Sequence, residues 1–157
     1  MGEGEFRTMI DVENIVVTAV KNAVDAEFGP EMTVKVYSYP IAKPESFPCV
    51  LVYMFDNYTY RFSQTFGKLR ENHTNVTFAV AVYTDNVNTK KTLGKAIFKV
   101  VDETLQDLKL TRIMWAPVDN IDRTISRIEA RYSGVVGEGI TTTIDGEEVT
   151  LYPMFRN

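Results

Sequence analysis

The chain has 157 residues, 45% of them hydrophobic and 24% charged, with a formal net charge of −4. Those values fit one globular domain that buries roughly 68–70% of its unfolded surface, and they exclude both a disordered segment and a disulfide-stapled miniprotein. Acids and bases are interspersed, so the sequence carries no basic footprint for nucleic acid.

The first residues have neither the basic n-region nor the apolar h-region of a signal peptide, and Phe6 breaks the myristoylation pattern that begins at Gly2. Folding in a reducing cytoplasm, without a membrane anchor, is the expectation. Three matches to the glycosylation sequon, at Asn57, Asn72 and Asn75, then count as chance in a Thr-rich chain.

From Thr8 to Glu27, the residues Val12, Ile15, Val16, Ala19, Val20 and Ala23 recur at helical spacing, which predicts an amphipathic helix. Thr8 with Asp11 resembles a cap, and Gly29 and Pro30 stop the helix. Met32, Val34 and Val36 alternate with polar residues as in a half-buried strand, and the prolines at 40, 44 and 48 mark an irregular connection. Cys49 to Phe55 is apolar at nearly every position, which predicts a central strand covered on both faces.

Tyr58, Tyr60 and Phe62 then alternate with Thr59, Arg61 and Ser63, and Val76, Phe78, Val80 and Val82 alternate with Thr77, Ala79, Ala81 and Tyr83. The two segments read as an antiparallel pair. Between them, the polar stretch with Gly67, Lys68, Arg70, Glu71, Asn72 and His73 is longer than a hairpin loop and is placed to reach a partner.

Asn88 or Thr89 is placed to cap a second helix whose buried stripe is Leu93, Ala96, Ile97, Val100, Val101, Leu105 and Leu108, with Lys95, Lys99, Asp102 and Gln106 opposite. Thr111–Trp115 reads as a strand ended by Pro117, and Thr124–Val136 as a longer one. On the longer strand Ile128, Ala130 and Tyr132 share one face, while Arg127, Glu129 and Arg131 share the other. Ile140–Ile144 and Glu147–Tyr152 flank Asp145 and Gly146, a strong hairpin signal, and a two-residue turn pairs Ile140 with Leu151, Thr142 with Val149 and Ile144 with Glu147. A lone hairpin is marginal in water, so this one has to lean on something, and the closing Tyr152 and Phe155 add apolar surface.

Reactive side chains are scarce. One His, His73, and one Cys, Cys49, do not make a zinc site, and Cys49 lies within an apolar strand where a thiol is a poor nucleophile. The pairs Asp102–Glu103 and Glu147–Glu148 diverge in direction and read as solvated charges. Gly134, Gly137 and Gly139 open no helix, so they fail as a phosphate loop. The sequence therefore predicts no catalytic residue, cofactor or metal, and it points to surfaces. The charged face Arg127, Glu129 and Arg131 reads either as a wetted outer sheet face or, with Tyr132, as an intersubunit surface.

Glu71, Asn72 and His73 leading into Val76–Tyr83, the Lys-rich helix start, Val101 to Glu103, Met114 to Asn120, and Arg127 to Val135 together resemble the tail terminator, or tail completion, proteins of tailed bacteriophages. The resemblance covers residues 8–137 and, more loosely, the C-terminal hairpin. It implies an α+β subunit, with a mixed, mostly antiparallel sheet packed by two helices over 1–137 and a hairpin arm over 138–157. It further implies a hexameric ring in the virion that caps the tail tube and meets the head–tail connector. DNA would pass through such a ring without sequence-specific binding, and the family brings no catalytic residues. The surfaces that fit such contacts are Arg61 on the strand before the long loop and Lys68, Arg70 and Glu71 within it, the strand with Arg127, Glu129, Arg131 and Tyr132, and the arm with Ile140, Val149, Leu151, Tyr152 and Phe155. A neck adaptor, stopper or tube subunit is the rival within that class, and a small cytoplasmic α+β enzyme or ligand-binding domain is the rival outside it.

Overall fold

A computed structural model of the chain describes residues 11–41, 44–59, 73–85, 90–118, 124–137, 140–151 and 154–155. Helix α1 spans Glu13–Phe28, and it buries Val12, Val16, Val20 and Val24 completely. Four valines at intervals of four form a slanting ridge along one side, so Ile15, expected inside, is rotated outward and is 38% exposed. The helix begins where Asp11 Oδ1 accepts the Glu13 N–H at 3.0 Å. Thr8, the expected cap, lies outside the described residues.

The sheet contains β1 (Lys35–Tyr37), β2 (Cys49–Thr59), β3 (His73–Thr84), β4 (Thr111–Val118) and β5 (Ser126–Gly137) in the order β1-β2-β3-β5-β4. Among the described residues only β1 and β2 are parallel; the remaining pairs are antiparallel. With two helices, this is the α+β architecture expected. The central strand, however, is β3 and not β2. Beyond Leu51, β2 leaves the shelter of β1, which pairs only with Cys49–Leu51, and Phe55 is 54% exposed. Tyr58 and Thr59, expected in a separate strand, continue β2 past a bulge between Met54 and Asp56, and the rest of that segment, Tyr60 to Ser63, lies outside the described residues. His73, expected in a loop, opens β3 opposite Gly137.

Alternation along β3 and β5 sorts the two faces. Val76, Phe78, Val80 and Val82 join Ile128, Ala130 and Tyr132 in the main core beneath the helices. On the opposite face a small second cluster of Cys49, Leu51, Ala81 and Tyr83 is covered by Tyr37, Ile41, Phe47 and Ile125. Helix α2 (Lys90–Asp107) crosses β3, β5 and β4 and packs on α1, which lies over β1 and β2. Ile97, Val101 and Leu105 seal the core from α2, together with Phe98, whereas Ala96, expected in the stripe, faces solvent. The helix closes with Lys109 in the left-handed region (φ 69°), where the Leu110 N–H reaches the Leu105 carbonyl at 3.1 Å. The expected caps Asn88 and Thr89 lie outside the described residues.

Strand β4 runs on through Pro117, expected to end it; as an edge strand it tolerates a residue without an N–H. The hairpin of β6 (Ile140–Ile144) and β7 (Glu147–Leu151) adopts the expected register, Ile140 opposite Leu151 and Ile144 opposite Glu147. Its turn puts Asp145 and Gly146 at φ 52° and 82°, the left-handed pair that a two-residue hairpin requires. The hairpin is a sheet of its own, but β8 (Met154–Phe155) returns to pair with Val135 and Val136 of β5, in line with β4. The C-terminal segment is thus anchored to the body at its far end.

Candidate protein–protein interface

The sheet face turned away from the helices carries the charged row the sequence singled out. Register places Arg127, Glu129 and Arg131 of β5 beside Tyr83, Ala81 and Ala79 of β3, and beside Val118, Ala116 and Met114 of β4. Arg127 and Glu129 form an ion pair at 3.4 Å with both side chains partly exposed, a geometry that contributes little stability in water. Arg131 does more. Ala79 is too short to intervene, so the Arg131 guanidinium extends across β3 and lies 4.5 Å from the centre of the Phe55 ring. Phe55, Arg131 and Met114 thus form a strip across the open face from β2 to β4.

The second feature is the outer edge of β4, which the sequence reading passed over. A bulge between Arg112 and Met114 leaves Ile113 without a ladder partner, and Ile113, Met114 and Trp115 are 59%, 41% and 42% exposed. Trp115 stacks on Phe98 of α2, ring centres 5.5 Å apart. Three consecutive large apolar side chains cannot all be buried by a strand of period two, and a proline two residues later marks an edge. That local pattern was the available signal. The bulge and Pro117 both blunt the edge against simple strand addition, so what it offers a partner is chiefly side-chain surface.

Tyr132, expected at the interface, is a core residue with no exposed surface. Its hydroxyl donates to Asp102 Oδ1 at 2.5 Å, and Asp102 Oδ2 accepts from Arg112 at 2.9 Å and from Gln106 at 2.8 Å. Asp102, expected with Gln106 on a solvated helix face, therefore ties α2 to β5 and to the start of β4, with Gln106 bracing it from within the helix. Burial, then the bond to Asp102 and its charge, push the Tyr132 phenol above its usual range, against a smaller opposing effect of Arg112. Burial likewise pushes the Cys49 thiol up to about 12.

Of the other expected interface residues, Arg61, Lys68, Arg70, Glu71 and Tyr152 lie outside the described residues. Ile140, Val149 and Leu151 belong to the hairpin ladder, and Phe155 pairs with Val135. Among the described residues no group of three or more His, Cys, Asp or Glu converges on a common point, and no helix is long and apolar enough to cross a membrane. No protein-family model and no curated protein matches the chain.

Proposed function

We propose that this chain is a structural subunit of a phage virion, a tail terminator that closes into a ring, hexameric as the family resemblance implies, caps the tail tube and joins it to the head connector. Such a subunit folds in the cytoplasm of the host bacterium and acts through protein contacts. The observation that carries the proposal is the exposure of Ile113, Met114 and Trp115 on an edge strand whose backbone is blunted. Aromatic and methionine side chains are the types enriched in interfaces, and their solvation on a free monomer is unfavourable. The sequence resemblance supplies the class of assembly. In the same proposal the hairpin β6–β7 rests on a neighbouring subunit or on the tube.

Light scattering and negative-stain imaging of the purified protein test it. Rings or short stacks of rings are the expected outcome. A strict monomer at high concentration, with no ring formed when tail-tube protein is added, overturns it. Binding of the head connector but not of the tube assigns the chain to a neck adaptor instead.

A further inference from the structure

The two lateral sides of the sheet differ in construction but match in level. On one side, β1 covers β2 only at Cys49–Leu51, so from Val52 onward the outer edge of β2 has no strand beside it among the described residues. Glu13 Oε2 takes the Met54 N–H there at 2.7 Å, and Phe55 stands exposed. On the other side lies the outer edge of β4. Following the ladders across, Met114 is level with Arg131, Arg131 with Ala79, and Ala79 with Tyr53. The exposed stretch Ile113–Trp115 therefore stands at the same height as the uncovered stretch of β2, while Pro117, further along, stands level with Val82 and Val50, where β1 is in place.

Direction agrees as well. Three antiparallel steps from β2 through β3 and β5 leave β4 antiparallel to β2, so a second copy in the same orientation presents its β2 edge antiparallel to β4.

Charge follows the same plan. Helix α1 ends, and the following turn continues, with Asp25, Glu27 and Glu31 exposed, and neither helix has a basic residue in its last turn. Helix α2 has Lys91 and Lys95 exposed near its start, with no acid in its first turn. Both clusters oppose their own helix dipole, an arrangement that costs stability in an isolated subunit. The end of α1 leads into β1 beside Cys49, and the start of α2 follows β3, whose Tyr83 is opposite Cys49, so the acidic and basic clusters stand at one end of the molecule. A copy placed alongside in the same orientation brings the acids of its α1 level with the lysines of α2.

We infer that copies of this chain associate head to tail, with the β4 edge of one, at Ile113–Trp115, seated on the uncovered β2 edge of the next, at Val52–Asp56, and Met114 meeting Phe55. The contact is heterologous, since each copy uses two different patches. This inference rests on the reading of the chain as a ring subunit and names the surfaces that would close the ring.

The test uses Phe55→Cys and Met114→Cys variants with a short bis-maleimide, wild type serving as the blank because its Cys49 is buried. A mixture of the two single variants is expected to give a cross-linked dimer that neither gives alone, and the double variant a ladder of higher species. Circular dichroism verifies folding, and Met114→Glu is expected to shift the oligomer to monomer on sedimentation. Oligomers that form without the mixed cross-link, or in which Met114→Cys links to itself, overturn the inference and leave the ring reading standing. The mixed cross-link with open chains in place of rings supports the contact and overturns ring closure. A monomer without any cross-link overturns both.

Discussion

The Tyr132 hydroxyl donates to Asp102 Oδ1 at 2.5 Å, joining the middle of β5 to α2 inside an otherwise apolar layer. Asp102 also holds Arg112 at 2.9 Å, so a single carboxylate fixes the helix against both β5 and the start of the exposed edge strand. A hydrogen bond to a charged acceptor contributes about 1.5–3 kcal/mol, and losing the donor leaves a half-buried carboxylate oxygen under-satisfied. Tyr132→Phe is therefore expected to lower stability by about 2 kcal/mol in urea denaturation. Asp102→Asn in the same background should cost much less than it does alone, because the two share one bond. Additive losses would show that the pair is not coupled.

That pair also marks where the sequence was opaque. Periodicity located both helices, strands β3 and β5, and the hairpin register, because a run such as Val76, Phe78, Val80 and Val82 has one consistent period. It could not show which polar residue on a helix would be drawn inward. Asp102 sits beside the buried Val101, and only the arrival of Tyr132 and Arg112, 30 and 10 residues away, makes it a structural anchor. The rank of β2 in the sheet was hidden for a related reason. Its apolar run signals burial, but β1 pairs only with Cys49–Leu51 and Phe55 lies on the open sheet face, and no property of β2 encodes the length of its neighbour or which face the helices cover. Arg127, Glu129 and Arg131 were legible as one face, whereas the reach of Arg131 to Phe55 depends on Ala79 being small on a strand between them.

Alkaline pH should weaken the fold. The Cys49 thiol, pushed from 9.0 up to about 12 by burial, stays neutral in the native protein after the unfolded chain has begun to ionise. A raised folded-state value means that its contribution is fully present below about pH 9 and is lost as pH climbs toward 12. Tyr132 acts in the same direction at higher pH. The urea midpoint is expected to hold from pH 7 to 8.5 and fall above 9, with a shallower fall in Cys49→Ala. A thiol reagent at pH 8 should label Cys49 only after denaturant is added. Rapid labelling of the native protein would contradict its burial.

Gly146 separates local from global stability. At φ 82° a Cβ is strained although nothing crowds it, and Gly146→Ala should cost about 1–2 kcal/mol. Because β6 and β7 pair only with each other among the described residues, the cost falls on the hairpin and not on the main sheet. Amide exchange across residues 140–151 should accelerate roughly 5–30-fold while the melting temperature of the body stays put. An equal loss in both would mean that hairpin and body unfold together.

Removal of residues 138–157 tests the C-terminal segment as a whole. The truncated chain keeps β1 to β5 and both helices, and what the body loses is the pairing of β8 with Val135 and Val136. Val136 is fully buried and Val135 nearly so, which predicts a modest drop in melting temperature with cooperative unfolding retained. Assembly should weaken more than the fold does, because among the described residues the hairpin makes no ladder with its own body and its proposed place is on a neighbour. Circular dichroism melts and light scattering on the same sample separate the two effects. A truncated chain that no longer folds would make the hairpin part of the domain instead of an arm; unchanged assembly would remove it from the interface.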